Sequence, residues 1–109
     1  MKDQIYCRTT SGETLRFLLH ESGPRLSRRS GNFLYVRGED ADLEVLYVGE
    51  TDDLAEHAQD RWPEAVRSFG ARAIYTRLNI TGSQRRDELA ELISAYEPPM
   101  NRDELKRTG

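Results

Sequence analysis

Phe33-Leu34-Tyr35-Val36 and Val45-Leu46-Tyr47-Val48, the second closed by Gly49, decide how this chain folds. Their aromatic and branched content marks each as a buried strand. Residues 38–42 between them are polar and read as a turn, so the two strands should pair antiparallel. The alternation from residue 71 to 80 sets Ile74, Thr76, Leu78 and Ile80 against Ala73, Tyr75 and Arg77, which predicts a further strand completing the central sheet.

Working outward toward the N-terminus, residues 4–9 alternate as a strand, Ser11-Gly12 signals a turn, and residues 13–19 read as the returning strand of a hairpin. Residues 21–32 form a loop rich in Gly, Ser, Pro and Arg. Toward the C-terminus, Thr51 reads as a helix N-cap, with Asp52 and Asp53 in the first turn where the helix dipole favours them. That helix is expected to end near Trp62, before Pro63. A second, short helix should run over residues 63–69 and close at Gly70. A last helix starts at Gly82-Ser83, carries the stripe Leu89, Leu92, Ile93 and Tyr96, and is expected to stop at Pro98-Pro99. Residues 101–109 read as a polar tail that frays. The predicted class is α+β: a small antiparallel sheet with helices packed on it, preceded by an N-terminal β-hairpin. The expected organisation is a hairpin and basic loop over 1–31, a main domain over 32–101, and a tail over 102–109.

At 109 residues the chain has the length of one domain, and its 37% hydrophobic content falls in periodic clusters rather than in a membrane-length run. Nothing near Met1 resembles a signal peptide, so a cytoplasmic location without membrane association is expected. Cys7 is the single cysteine, which rules out an internal disulfide and a cysteine-based zinc site. The net charge of −3 argues mildly against non-specific nucleic-acid binding, but the charge is segregated. Arg16, Arg25, Arg28, Arg29 and Arg37 face a single acid, Glu21, between residues 16 and 37; residues 38–60 then carry nine acids and no Lys or Arg. An acidic stretch of that kind is usually a solvated face.

The strands Phe33-Leu34-Tyr35 and Tyr47-Val48-Gly49, in that order, resemble the two halves of the signature of the GIY-YIG nuclease superfamily. Tyr47-Val48-Gly49-Glu50-Thr51-Asp52-Asp53-Leu54 is similar to that family's strand, glycine turn and helix entry. The segment from Glu91 to Asn101, with its Pro98-Pro99-Met100-Asn101, resembles the close of the family's domain. The resemblance spans residues 32–101 and leaves the N-terminal hairpin outside. It implies metal-dependent hydrolysis of a DNA phosphodiester, with Mg²⁺ or Mn²⁺ as cofactor and DNA as partner. Such chemistry needs a base for the water, a cation against the phosphate, and a carboxylate for the metal.

The resemblance makes Tyr35, Tyr47, His57, Arg61 and Asn101 the candidate catalytic residues. Three positions depart from the family pattern. Phe33 stands where the family has Gly. The family's Arg falls at His57 and its following His at Arg61, so the pair is reversed. The metal-binding Glu, counted back from Asn101, falls at Leu89; Glu88 and Glu91 flank it but point about 100° and 200° away on a helix. Glu88 is the metal ligand only under a shifted register. His20 reads as a structural histidine. The expectation is therefore a nuclease-like domain with weakened or lost cleavage, whose loop arginines Arg25, Arg28 and Arg29 contact phosphate. An active endonuclease using Tyr35, Tyr47, Arg61 and Glu88 is one alternative. A protein-interaction module presenting the acidic stretch to a basic partner is another.

Overall fold

The computed structural model describes residues 2–20 and 28–108, with the side chains of residues 2–20 and 28–104. Gln4–Arg8 (β1) and Thr14–His20 (β2) form the expected hairpin, and Gly31–Arg37 (β3) and Glu44–Thr51 (β4) form the second. Ala73–Leu78 (β5) inserts between them, giving one antiparallel sheet in the order β1-β2-β5-β3-β4. The N-terminal hairpin is thus part of the same sheet rather than an appendage. Helices Leu54–His57 (α1), Trp62–Phe69 (α2), Gly82–Tyr96 (α3) and Pro99–Thr108 (α4) complete the α+β domain.

Strand β3 explains why its sequence shows no alternation. From Gly31 to Val36 every residue is buried, because both faces of this central strand are covered. On the back face, Leu34, Val36, Val48, Tyr75, Phe17 and Leu15 pack beneath α3, with Leu92 fully buried and Leu89 and Ile93 half-buried. On the front face, Phe33, Tyr35, Ile74 and Leu46 pack with Leu54, Ala58, Ala65 and Met100 from the other three helices. A β-bulge sets this sorting. Tyr35 pairs with Tyr47 and Val36 with Val45, so Leu46 has no partner across β3 and turns into the front core.

Three expectations need correction. The helix expected over residues 51–62 is a single turn, Leu54–His57. Thr51 does not cap it; Asp53 does, its carboxylate accepting from the Glu56 N–H at 3.1 Å. The chain then turns through Asp60 N–H to His57 C=O and Trp62 N–H to Gln59 C=O before α2 starts. Second, the expected polar tail is largely helical. Pro98 and Pro99 end one helix and begin another, since the missing N–H of proline costs nothing in a first turn. Third, the hairpin boundary at residue 31 cuts through β3. Gly70, as expected, closes α2 in the left-handed conformation, φ 71°. No helix among the described residues is long and apolar enough to cross a membrane.

Candidate functional site

Because Tyr35 and Tyr47 are direct cross-strand partners on the front face, their ring centroids lie 5.4 Å apart. Phe33 adds a third ring, 5.7 Å from Tyr35 and 6.0 Å from Tyr47. Trp62, at the start of α2, meets Tyr35 edge-on at 5.2 Å. A cleft of about 400 Å³ opens beside this cluster, lined by Phe33, Tyr35, Tyr47, Glu50, Thr51, His57, Asp60 and Arg61. The structure therefore gathers four of the five expected catalytic residues, and it puts His57 and Arg61 on the same side of the sheet as the tyrosines.

Their polar atoms are already committed. The Tyr35 hydroxyl donates to the Ala58 carbonyl at 2.7 Å and accepts from the Arg61 N–H at 3.3 Å. Its side chain is fully buried, and that burial raises its pKa well above the ordinary tyrosine value. Tyr47 donates to Glu104 Oε2 at 3.1 Å; burial first, and the Glu104 carboxylate second, push its pKa up to about 12. Neither phenol serves as a phenolate at neutral pH. The Arg61 guanidinium spans the gap between helices. It donates to Glu104 at 2.8 Å, pairs with Glu64, and lies 5.1 Å from the Tyr47 ring centroid. At the rim, His57 Nδ1 meets Asp60 Oδ2 at 3.0 Å. That hydrogen bond raises the His57 pKa.

Asn101 does not join the cleft. Its side chain is buried against β4, where Oδ1 accepts from the Val48 N–H at 2.8 Å and Nδ2 donates to the Val48 carbonyl at 2.9 Å. It completes the outer edge of the sheet much as a neighbouring strand would. Glu104, which the sequence reading did not place here, reaches two residues of the cleft, Tyr47 and Arg61. Reading Pro99 as a helix start rather than a stop, with Met100 as its apolar anchor, is the signal that could have found it.

Glu88 lies elsewhere. It is buried on the back of the sheet, where its carboxylate accepts from Arg77 Nε at 3.0 Å. Beside it, Arg85 donates from Nε to Glu50 at 3.0 Å and from Nη1 to the carbonyls of Asn79 and Ile80. Asn32 bridges Asn79 and the Arg85 carbonyl. This buried polar group anchors the first half of α3 to β3, β4 and β5. The donors present do not fit the divalent metal that the resemblance implies. The carboxylate of Glu88 is engaged by a cation on the wrong face, Glu50 is held by Arg85 and Asp60 by His57. Among the described residues, no three His, Cys, Asp or Glu side chains are grouped to hold an ion. Arg28 and Arg29 are both exposed, and the Arg29 carbonyl accepts from the Leu54 N–H at 3.0 Å. Arg25 lies outside the described residues. No family model, curated protein or solved structure matches the chain.

Proposed function

We propose that this domain is a divergent member of the GIY-YIG type that contacts nucleic acid without cleaving it. The observation that carries this reading is the state of Arg61. In the implied reaction this cation must meet a phosphate, yet it is bound to Glu64 and Glu104 and stacked near Tyr47. Breaking two ion pairs to admit a phosphate costs binding energy that catalysis would need in the transition state. The cleft supplies no free carboxylate for a metal, and both tyrosine hydroxyls are spent within the fold. Contact with nucleic acid falls to the basic loop of Arg25, Arg28 and Arg29, through phosphate charge.

A plasmid-nicking assay in Mg²⁺ and in Mn²⁺ tests the loss of cleavage, and no product is expected in either. Binding to labelled DNA, measured across a salt series, tests the retained contact. The expected result is an affinity that falls linearly in log–log form with salt and loses slope in an Arg28→Gln, Arg29→Gln variant. Metal-dependent nicking abolished by Glu88→Ala would instead establish the active endonuclease.

A further inference from the structure

Helices cover only half of the front face. Among the described residues, the apolar residues of α1, α2 and α4 cluster with those of β3, β4 and β5, and no residue of β1 or β2 belongs to that cluster. The front-facing residues of the hairpin are consequently open: Gln4, Tyr6, Arg8, Thr14, Arg16 and Leu18 are all exposed, Tyr6 by 61% and Leu18 by 46%. A bare sheet face of this kind normally carries mixed charge. This one carries no acid among those six, although the whole chain has a net charge of −3. Arg16 is directly opposite Tyr6, and Arg8 follows two residues along the same strand. Neither arginine is in an ion pair among the described residues.

The hairpin face and the cleft share a row of the sheet. One row of the sheet runs Gln4, Leu18, Thr76, Phe33, Gly49 in direct register, and Phe33 lines the cleft. One step along the strands, Leu78 adds exposed apolar surface beyond Thr76. Asp3, Glu39 and Asp40 line a depression at the free edge of β1 that Gln4 and Tyr6 also line, and Lys2 pairs with Asp40 there at 3.0 Å. These acids border Tyr6 on the edge side of β1, and Arg16 lies across from it on β2.

An exposed aromatic ring flanked by unpaired arginines on an open sheet suits a base that has left its stack, with phosphates beside it. A duplex offers a protein only base edges and phosphates, so it leaves the ring unused. We propose that the outer face of the β1–β2 hairpin binds single-stranded nucleic acid, with a base on Tyr6 and phosphates at Arg8 and Arg16. The chain then passes over Leu18 and Thr76 toward Phe33. This proposal rests on the nucleic-acid-binding reading above and moves its centre from the loop to the hairpin.

Fluorescence anisotropy of the full chain with labelled oligothymidylate, oligouridylate and a duplex of equal length tests it, each over a salt series. The single strands are expected to bind more tightly than the duplex, and the two single strands together decide whether DNA or RNA is preferred. Tyr6→Ala should weaken single-strand binding by roughly tenfold or more, and Tyr6→Phe should retain it. Arg8→Gln with Arg16→Gln should lower the salt slope by about 1.4, the share of two phosphates on a single strand. All of these positions are exposed, so thermal melts should match the wild type; the arginine pair gives an independent reading should Tyr6→Ala alter its melt. Wild-type binding that these variants leave unchanged, but that Arg28→Gln with Arg29→Gln removes, overturns the hairpin proposal and leaves the loop reading standing. No binding to any of the three probes overturns both. A dimer in sedimentation equilibrium that Tyr6→Ala dissociates, without oligonucleotide binding, assigns the face to a second copy of the chain and also overturns the proposal.

Discussion

At the scale of single residues, Gly49 and Phe33 form one unit. A Cβ at Gly49 would lie 2.2 Å from Phe33 Cζ, far inside van der Waals contact. Glycine at position 49 is therefore required by the phenylalanine that stands opposite it at position 33. Gly49→Ala is expected to cost about 1–3 kcal/mol by forcing that ring off its rotamer, and pairing it with Phe33→Leu should recover part of the loss. Denaturant melts of the single and double variants measure both; a neutral Gly49→Ala would show that the ring moves freely. His57 makes a second, smaller case. Its hydrogen bond to Asp60 favours the imidazolium, so its pKa lies above the ordinary 6.5. The sign follows: whatever the pair contributes is present below pH 6.5 and disappears as pH rises through the raised folded value. An NMR titration should show this elevation, and Asp60→Asn should bring the value down. A His57 that titrates at or below its ordinary value would contradict the contact. The reversed His57 and Arg61 pair was visible in the sequence, and so were the acids three residues on, Asp60 and Glu64; Glu104 was not, because it lies 43 residues from Arg61 in the chain.

At the scale of elements, α4 is the part of the fold that sequence patterns hid. Strands and their pairing were legible because buried strands concentrate aromatic and branched residues, and because Ser11-Gly12 and residues 38–42 punctuate them. The stripe on α3 was legible for the same reason. By contrast, α4 presents few apolar side chains, and it is held by polar contacts that periodicity does not report. Asn101 fixes it to β4 and Glu104 fixes it to Arg61. The buried Arg85 and Glu88 were misleading in the same way, since charges on a helix usually mark its solvent side. Asn101→Ala should therefore act as a structural lesion rather than a catalytic one. It removes two hydrogen bonds and leaves the N–H and carbonyl of Val48 without them, at an expected cost of about 2–4 kcal/mol. Hydrogen exchange should then report faster opening at Val48 and through α4. Wild-type protection at Val48 in the variant would mean that α4 does not depend on this tie.

For the molecule as a whole, the decisive feature is that the sheet separates the groups that a nuclease would have to bring together. Tyr35, Tyr47, His57 and Arg61 line the front cleft, whereas Glu88 and Leu89 belong to α3 on the back. The layers on the two faces of a sheet are offset by about 10 Å each from its plane, too far for one metal to bridge a carboxylate behind to a phosphate in front. Leu89→Glu restores the family's residue type at the counted position and gives a direct test of this division. Leu89 packs half-buried against the back-face core, so the new carboxylate loses apolar contact and is partly desolvated. We expect a loss of about 1–3 kcal/mol, below the range for a fully buried leucine because the new group can reach water at the helix edge. We expect no gain in Mn²⁺ affinity by calorimetry and no nicking activity, since the added charge faces away from the tyrosines. Tight Mn²⁺ binding by the Leu89→Glu protein, with cleavage that depends on Tyr47, would mean that α3 and the cleft share one site, and the separation across the sheet would have to be abandoned.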